Sequence, residues 1–228
     1  MQWLTNFFAS SIGRKIIMSL TGLFLISFLV IHLIGNLQLL ADDGGQSFNV
    51  YAKFMTSNPL IKTVSWGLYA GILLHAILGI VIYFKNKGAK GGGYAKRSNV
   101  EVSWASKNMA LLGTLVFAFL LLHMGDFWYT MKFTNDLPMV SYSGHEGEMK
   151  NLFSKVATSF KEPLVVVAYL VGLLALAFHL WHGFQSAFQT LGLNHKKYTP
   201  IISGLGKAFS IIVPLAYAII PIYYYLYL

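Results

Sequence analysis

Five long apolar stretches constrain this 228-residue chain more than any other feature of its sequence. A helix that crosses a bilayer needs about 20 mainly apolar residues. Only 11% of the residues are charged, whereas soluble globular domains contain about 25%. The sequence therefore predicts an all-α integral membrane protein, a single membrane domain over residues 1–228 embedded in a lipid bilayer. The five predicted transmembrane helices are residues 16–40, 62–84, 108–131, 163–190 and 202–228.

The first apolar segment follows Arg14 and Lys15, as the core of a signal peptide would follow its basic residues. Such cores are about 7–15 residues long and are followed by a small-residue cleavage site. The segment in this chain is longer, and no site of that kind follows it. We therefore expect a retained transmembrane helix.

Charged residues are distributed unequally between the two sides of the predicted membrane domain. The N-terminal segment and the loops after the second and fourth spans carry eleven basic residues and one acid, Glu101. The basic residues are Arg14, Lys15, Lys85, Lys87, Lys90, Lys96, Arg97, Lys107, Lys196, Lys197 and Lys207. Because positively charged loops stay in the cytoplasm, we expect a cytoplasmic N-terminus and an outer C-terminus. The net charge of +9 is then an orientation signal, and it does not indicate nucleic-acid binding.

The predicted loops leave no room for a large active site outside the membrane. The glycine run 91–93 is expected to be a flexible spacer on the inner side, and the longest outer loop, about 132–162, is expected to carry a short amphipathic piece over 148–160. The chain has no cysteine, which excludes disulfides, thiolate zinc sites, iron–sulfur clusters and a cysteine nucleophile. Soluble chemistry is therefore expected on partner proteins.

Histidines lie inside four of the five apolar segments: His32, His75, His123, and His179 with His182. Ionisable side chains at membrane depth are costly and usually functional, although a single one could simply hydrogen-bond between helices. At 1.5 Å per residue, His32 and His123 fall in the outer half of the membrane. His75 and His179 fall nearer the inner side, so the sequence predicts an outer and an inner pair from alternate helices.

Two nitrogen ligands at one level suit a haem b held by two histidines. Zinc prefers four ligands, and copper or non-haem iron usually adds a Cys, Met or carboxylate. Gly71 and Gly79 lie four residues on either side of His75, and Gly183 lies four after His179. Residues four apart share a helix face, so these glycines could make room for a flat macrocycle, although small residues are also common where membrane helices pack.

Several other residues could contribute to such sites. His182 competes with His179 as a ligand, and the glycine spacing favours His179, which leaves His182 as a neighbour. Arg14, Lys15 and Ser19 could contact the propionates of an inner haem. Asp126 could exchange quinone protons, hydrogen-bond Trp128 or Tyr129, or mark the interface. The aromatic runs 127–129 and 223–225 are interpreted as interface belts, His145 and His195 are expected in solvated loops, and Pro214 and Pro221 are expected to kink a fifth helix peripheral to the haem bundle.

At these residues the chain resembles the five-helix, dihaem cytochrome b subunit of succinate:menaquinone oxidoreductases and fumarate reductases. The resemblance covers nearly the whole chain in order and spacing. It is carried by Met18–Leu25 with Ile31-His32, by Leu74-His75-Ala76 with Gly79, by Leu122-His123, and by Phe178–Phe184 with Gly192.

The resemblance implies that His32 and His123 bind a distal haem and that His75 and His179 bind a proximal one. The subunit would anchor a flavoprotein and an iron–sulfur protein on the cytoplasmic face of a bacterial inner membrane. Electrons would pass through two b haems between that iron–sulfur protein and menaquinone, as part of the respiratory chain and the tricarboxylic acid cycle. Some members have a Glu two residues before the fourth-helix ligand; Ala177 stands there in this chain, which puts transmembrane proton transfer of that type in doubt.

Two other functions remain open from the sequence. One is a dihaem cytochrome b anchor of another respiratory enzyme, such as a hydrogenase or a formate dehydrogenase, which the co-purifying partner would distinguish. The other is a transporter or proton channel lined by histidines, which would be colourless.

Overall fold

The computed structural model describes residues 2–89 and 103–227. Within these ranges, five helices are long and apolar enough to cross a membrane, which confirms the predicted all-α integral membrane fold. They are α2 (Ser11–Leu37), α4 (Pro59–Ala89), α6 (Met109–His123) together with its continuation to Phe133, α9 (Pro163–Thr190) and α10 (Thr199–Tyr227). A π-helical turn, Met124–Tyr129, extends α6 into α7 (Thr130–Phe133). The glycine spacer 91–93 and its flanking basic residues lie outside the described ranges.

Two of the long helices begin directly after a polar capping residue that precedes the apolar stretch. Helix α9 begins at Pro163 and ends at Thr190, as predicted, because proline suits the first helical position. Helix α2 begins five residues earlier than predicted, since the Ser10 hydroxyl accepts a hydrogen bond from the Gly13 amide at 2.9 Å. Helix α4 begins at Pro59, and the Asn58 side chain accepts from the Leu60 amide at 2.9 Å. Hydropathy alone therefore located the spans and missed the first turns of α2 and α4.

Shorter elements connect these helices. They are α1 (Gln2–Ala9), a 3-10 turn (Gln38–Leu40), α3 (Gln46–Ser57), α5 (Trp104–Lys107), β1 (Met139–Val140), β2 (Met149–Lys150) and α8 (Leu152–Ser159). Strands β1 and β2 pair antiparallel, with Met139 opposite Lys150. The amphipathic piece expected over 148–160 is therefore the short strand β2 followed by the helix α8, which covers only Leu152–Ser159.

Four histidine-bearing helices form the bundle. Helix α2 packs against α4 and α9, and α6 packs against α9. Helix α10 packs along α9 and also contacts α2, where the Tyr217 hydroxyl donates to the Leu29 carbonyl oxygen at 2.7 Å. It continues through Pro214 and Pro221 without interruption. Tyr224 was expected in an interface belt; it is fully buried instead and donates to the Leu39 carbonyl oxygen at 2.8 Å.

A folded cap closes the end of the bundle at which α2 and α6 finish, the predicted outer side. We define this outer cap as α3, β1, β2 and α8. Asn49 of α3 is 1% exposed, and its Nδ2 donates to the Tyr142 hydroxyl at 2.8 Å and to Asn151 Oδ1 at 2.9 Å. Its Oδ1 accepts from the Phe153 amide at 3.0 Å. Because every polar atom of this buried amide has a partner, the cap is held in a defined arrangement.

Candidate functional site

The structure brings the four intramembrane histidines together as two pairs. His32 of α2 and His123 of α6 have ring centroids 5.7 Å apart, with an interplanar angle of 85°. His75 of α4 and His179 of α9 have centroids 6.2 Å apart, with an angle of 64°. Each pair therefore joins two different helices, and all four histidine-bearing helices contribute one ring.

These separations can be tested against a metal held between two imidazoles. A metal–imidazole nitrogen bond is about 2 Å long, so two rings on opposite sides of one metal have centroids about 6 Å apart. Both pairs agree with that value. Within residues 2–89 and 103–227, no group of three or more His, Asp or Glu side chains is placed to hold a metal ion. Each site therefore offers two imidazole ligands, one from each of two helices.

The hydrogen bonds of His75 leave one ring nitrogen available for a metal. Its Nδ1 lies 3.1 Å from the Thr21 hydroxyl, and that hydroxyl donates its single proton to a backbone carbonyl of α2, either Ile17 at 2.9 Å or Met18 at 3.0 Å. The hydroxyl oxygen can therefore accept from Nδ1–H. This tautomer places the lone pair on Nε2, and metal-binding histidines commonly donate their other N–H in this way.

The outer pair makes one contact that suits metal binding and one that does not. His123 Nδ1 lies 3.4 Å from the Tyr169 hydroxyl, which can accept a hydrogen bond. His32 Nδ1 lies 3.3 Å from Asn36 Nδ2, which donates to the His32 carbonyl oxygen at 2.7 Å. An amide nitrogen only donates, so this contact favours the tautomer with its proton on Nε2. Binding of a metal through His32 Nε2 requires Asn36 to move away from Nδ1.

The inner pair is packed against glycines of neighbouring helices. A Cβ atom added to Gly22 of α2 would lie 3.3 Å from His75 Cε1. One added to Gly113 of α6 would lie 3.8 Å from His179 Cε1 and 3.9 Å from its Nδ1. That Nδ1 is buried and has no hydrogen-bond partner in the described part of the chain, a state that is rare and costly for a buried polar atom. The inner site thus keeps space and an unsatisfied nitrogen next to its two rings.

Gly22 and Gly113 lie on different helices from the histidines they approach, so a glycine spacing within one helix does not identify them. The glycines selected by that spacing contact other side chains. A Cβ at Gly71 would lie 3.4 Å from the Phe24 ring, whereas one at Gly79 or Gly183 would lie 3.5 Å or 3.7 Å from a methionine methyl group. The glycines beside the rings, Gly22 and Gly113, belong to helices adjacent to those of the histidines. No signal in the local spacing could therefore have identified them.

The remaining inner residues have more local contacts. His179, and not His182, has its ring opposite His75, and His182 is half-buried. The Arg14 guanidinium donates to the Ala9 carbonyl oxygen. Ser19 is buried and its hydroxyl donates to the Lys15 carbonyl oxygen at 2.9 Å. These hydrogen bonds tie the beginning of α2 to itself and to α1.

Aromatic side chains surround the outer pair. The Phe28 ring stacks on His32 with centroids 5.1 Å apart, and the Tyr217 ring of α10 lies 5.9 Å from the same histidine. Phe127 was expected in an interface belt; it packs instead against His123, with centroids 5.6 Å apart. Helix α10 is therefore outside the four-helix bundle but contributes a side chain to its outer site.

Asp126 belongs to an ion pair that the sequence did not suggest. Lys155 Nζ of α8 lies 2.6 Å from Asp126 Oδ1, and the Ser159 hydroxyl donates to the same oxygen at 3.4 Å. Of the alternatives considered for Asp126, a hydrogen bond with Trp128 does not form, because the Trp128 Nε1 donates to the Tyr69 hydroxyl of α4 at 2.8 Å. His145 and His195 lie in exposed loops, as expected.

The site therefore consists of four half-buried imidazoles, arranged as an outer pair among aromatic rings and an inner pair among glycines. Each pair offers two imidazoles from different helices as ligands for one metal. No protein-family model, no curated protein and no solved structure matches the chain.

Proposed function

We propose that this multi-pass membrane protein is the anchor and electron-transfer subunit of a succinate dehydrogenase or fumarate reductase. It would hold two b haems and pass electrons between an iron–sulfur subunit on the cytoplasmic face and menaquinone in the bilayer. The observation that carries the proposal is the pair of ring separations, 5.7 Å and 6.2 Å, between histidines of alternate helices. The complex as a whole is an enzyme, and its dicarboxylate chemistry belongs to the partner subunits.

Each histidine has a stated role in this proposal. His32 and His123 would bind the iron of the outer haem, and His75 and His179 that of the inner haem. A haem iron with two histidine ligands supplies one-electron transfer, and the protein adjusts it through its ligands, hydrogen bonds and burial. Thr21 orients the His75 ring through Nδ1, since a hydrogen bond there fixes the ring and its tautomer.

The composition supports the same division of labour. A chain with no cysteine cannot ligate an iron–sulfur cluster through thiolates, so such a cluster belongs to a partner. The inner side, with its excess of basic residues, is where that partner would dock. The quinone would reach the chain through the bilayer.

The first test is a reduced-minus-oxidised visible spectrum of the purified full-length chain, together with its haem-to-protein ratio. We expect a b-type spectrum and two haems per chain. A colourless protein would contradict the proposal and favour a transporter or channel. A red protein that co-purifies with a nickel or molybdenum enzyme, instead of a flavoprotein, would identify an anchor of a different respiratory enzyme.

Single histidine variants locate the haems. His123→Ala and His179→Ala should each lose one haem and keep the other, because each removes one ligand from one pair. His182→Ala is the matched control, since it removes a half-buried histidine one turn from His179 and should keep both haems. Loss of the inner haem in the control with retention in His179→Ala would move the ligand to His182.

A further inference from the structure

The Asp126–Lys155 ion pair lies directly beside the outer histidine pair. Asp126 is in the π-helical turn that follows His123, and Lys155 is in α8 of the outer cap. The Nζ and Oδ1 atoms are 2.6 Å apart, and the two side chains are only 29% and 21% exposed. Both charged groups are therefore largely shielded from water. In such surroundings the electrostatic attraction between two charges is stronger than on an open surface.

Aromatic contacts connect the same part of the cap to the His123 ring. Phe160 follows α8, and its ring lies 4.9 Å from Tyr169 and 5.9 Å from Phe127, centroid to centroid. The Tyr169 hydroxyl in turn lies 3.4 Å from His123 Nδ1. The ion pair links α8 to the π-helical turn after α6, and Phe160 contacts Tyr169 and Phe127, whose rings both contact His123.

We propose that Asp126 and Lys155 form a charge-setting and positioning pair for the outer histidine site. Asp126 is three residues after His123, in the π-helical turn that continues α6, so an unbalanced charge there acts on the ring and on any group it binds. With both partners present the two charges largely cancel. The inference rests on the proposed function, because it concerns the reduction potential of the haem that His32 and His123 would hold.

The sign of each substitution follows from electrostatics. A haem iron carries one more positive charge when it is oxidised, so a nearby negative charge favours the oxidised form and lowers the potential. Asp126→Asn leaves the Lys155 ammonium uncompensated and should raise the potential of the outer haem. Lys155→Met leaves the carboxylate uncompensated and should lower it. The double variant restores electrical neutrality and should lie between the two.

The experiment is a potentiometric titration of the purified full-length protein, followed by its b-type absorbance. His123→Ala first identifies which of the two titration steps belongs to the outer haem. Asp126→Asn and Lys155→Met should then move that step in opposite directions and leave the other step in place. Lys161→Met is the matched control, because it removes an exposed positive charge from the same loop and should move neither step.

Shifts of the outer step in the same direction in both variants, or no shift in either, would overturn the inference and show that the pair only holds the cap. If Asp126→Asn does not assemble, Lys155→Met alone decides the matter, since an unchanged or raised potential refutes the charge-setting role. Lys155→Arg, which keeps the charge, should restore the wild-type potential. A wild-type protein without haem would instead refute the proposed function, so the two failures are distinguishable.

Discussion

Replacing Thr21 with valine tests whether the hydrogen bond to His75 supports the inner site. The substitution removes the hydroxyl that lies 3.1 Å from His75 Nδ1 and keeps a branched side chain of similar size. Loss of such a partner to a metal-binding histidine costs about 10–100-fold in affinity. Because 3.1 Å is near the long end of the usual range of about 2.7–3.2 Å, we expect an effect near tenfold, or about 1.4 kcal/mol.

A competition titration measures this effect. The purified Thr21→Val protein is titrated with a soluble haem-binding protein, and the b-type absorbance that remains is compared with that of the wild type. We expect one of the two haems to be released at about tenfold lower competitor concentration and the other to be unaffected. The inner haem is identified as the one missing from His179→Ala.

Two controls separate the hydrogen bond from a general packing effect. Thr21→Ser keeps a hydroxyl and should retain the inner haem nearly as well as the wild type. Thr114→Val removes a threonine hydroxyl of α6 that donates only to the Ala110 carbonyl oxygen, and it should change neither haem. Release of both haems at wild-type competitor concentrations from Thr21→Val would refute the role given to this hydroxyl.

Three further substitutions test other parts of the structure. Gly22→Val should prevent binding of the inner haem alone, because even a Cβ atom there would lie 3.3 Å from His75 Cε1; the haem-to-protein ratio should fall from two to one. Asn49→Ala leaves the Phe153 amide without its acceptor, and an unsatisfied donor costs about 1–3 kcal/mol, so amide hydrogen exchange in the outer cap should accelerate by about fivefold or more. Hydrogen bonds from Ser47 hold the pKa of Asp43 below its usual range. The resulting stabilisation is present above the unfolded pKa of about 3.9 and is lost as pH falls through the folded value. Because asparagine does not titrate, Asp43→Asn should lack the small decrease in thermal stability that the wild type shows below about pH 4.

Each of these has a matched control and a contrary result. Gly67→Val places the same side chain where a Cβ meets nothing within 4 Å, and equal haem loss in both variants would contradict the crowding argument. Asn194→Ala removes an exposed amide, and unchanged exchange in Asn49→Ala would contradict the buried network. If Asp43→Asn loses as much thermal stability in acid as the wild type and the Asp136→Asn control do, the loss belongs to other carboxylates.

The five spans were predictable because hydropathy depends only on the local sequence. The predicted histidine levels rest on the same regularity, since a fixed rise per residue converts sequence position into an expected depth. The residues of other helices that contact each histidine ring were not predictable in this way. Thr21 and Gly22 reach His75 only once α2 and α4 are packed, and Tyr217 reaches His32 from a helix without histidines.

The outer cap shows the same limit for charged residues. Asp126 is three residues from His123, which made it noticeable, but its partner Lys155 comes from the following connection, 29 residues later. Lys155 is one of several lysines on that side of the protein, and nothing in its local sequence distinguishes it from the others. Only the docking of α8 on the π-helical turn makes Lys155 the partner of Asp126, so counting charges could not identify the pair.

The two histidine pairs differ in what surrounds them, and this difference makes the two-haem proposal testable one site at a time. The outer pair depends on aromatic packing and on a compensated charge at Asp126. The inner pair depends on close approach to Gly22 and Gly113, and on the Thr21 hydroxyl. Added volume should therefore affect only the inner site, and altered charge only the outer one. In a protein with a single haem, or with one site formed by all four histidines, added volume and altered charge would change the same spectroscopic signal. Two independent sites cannot give that result.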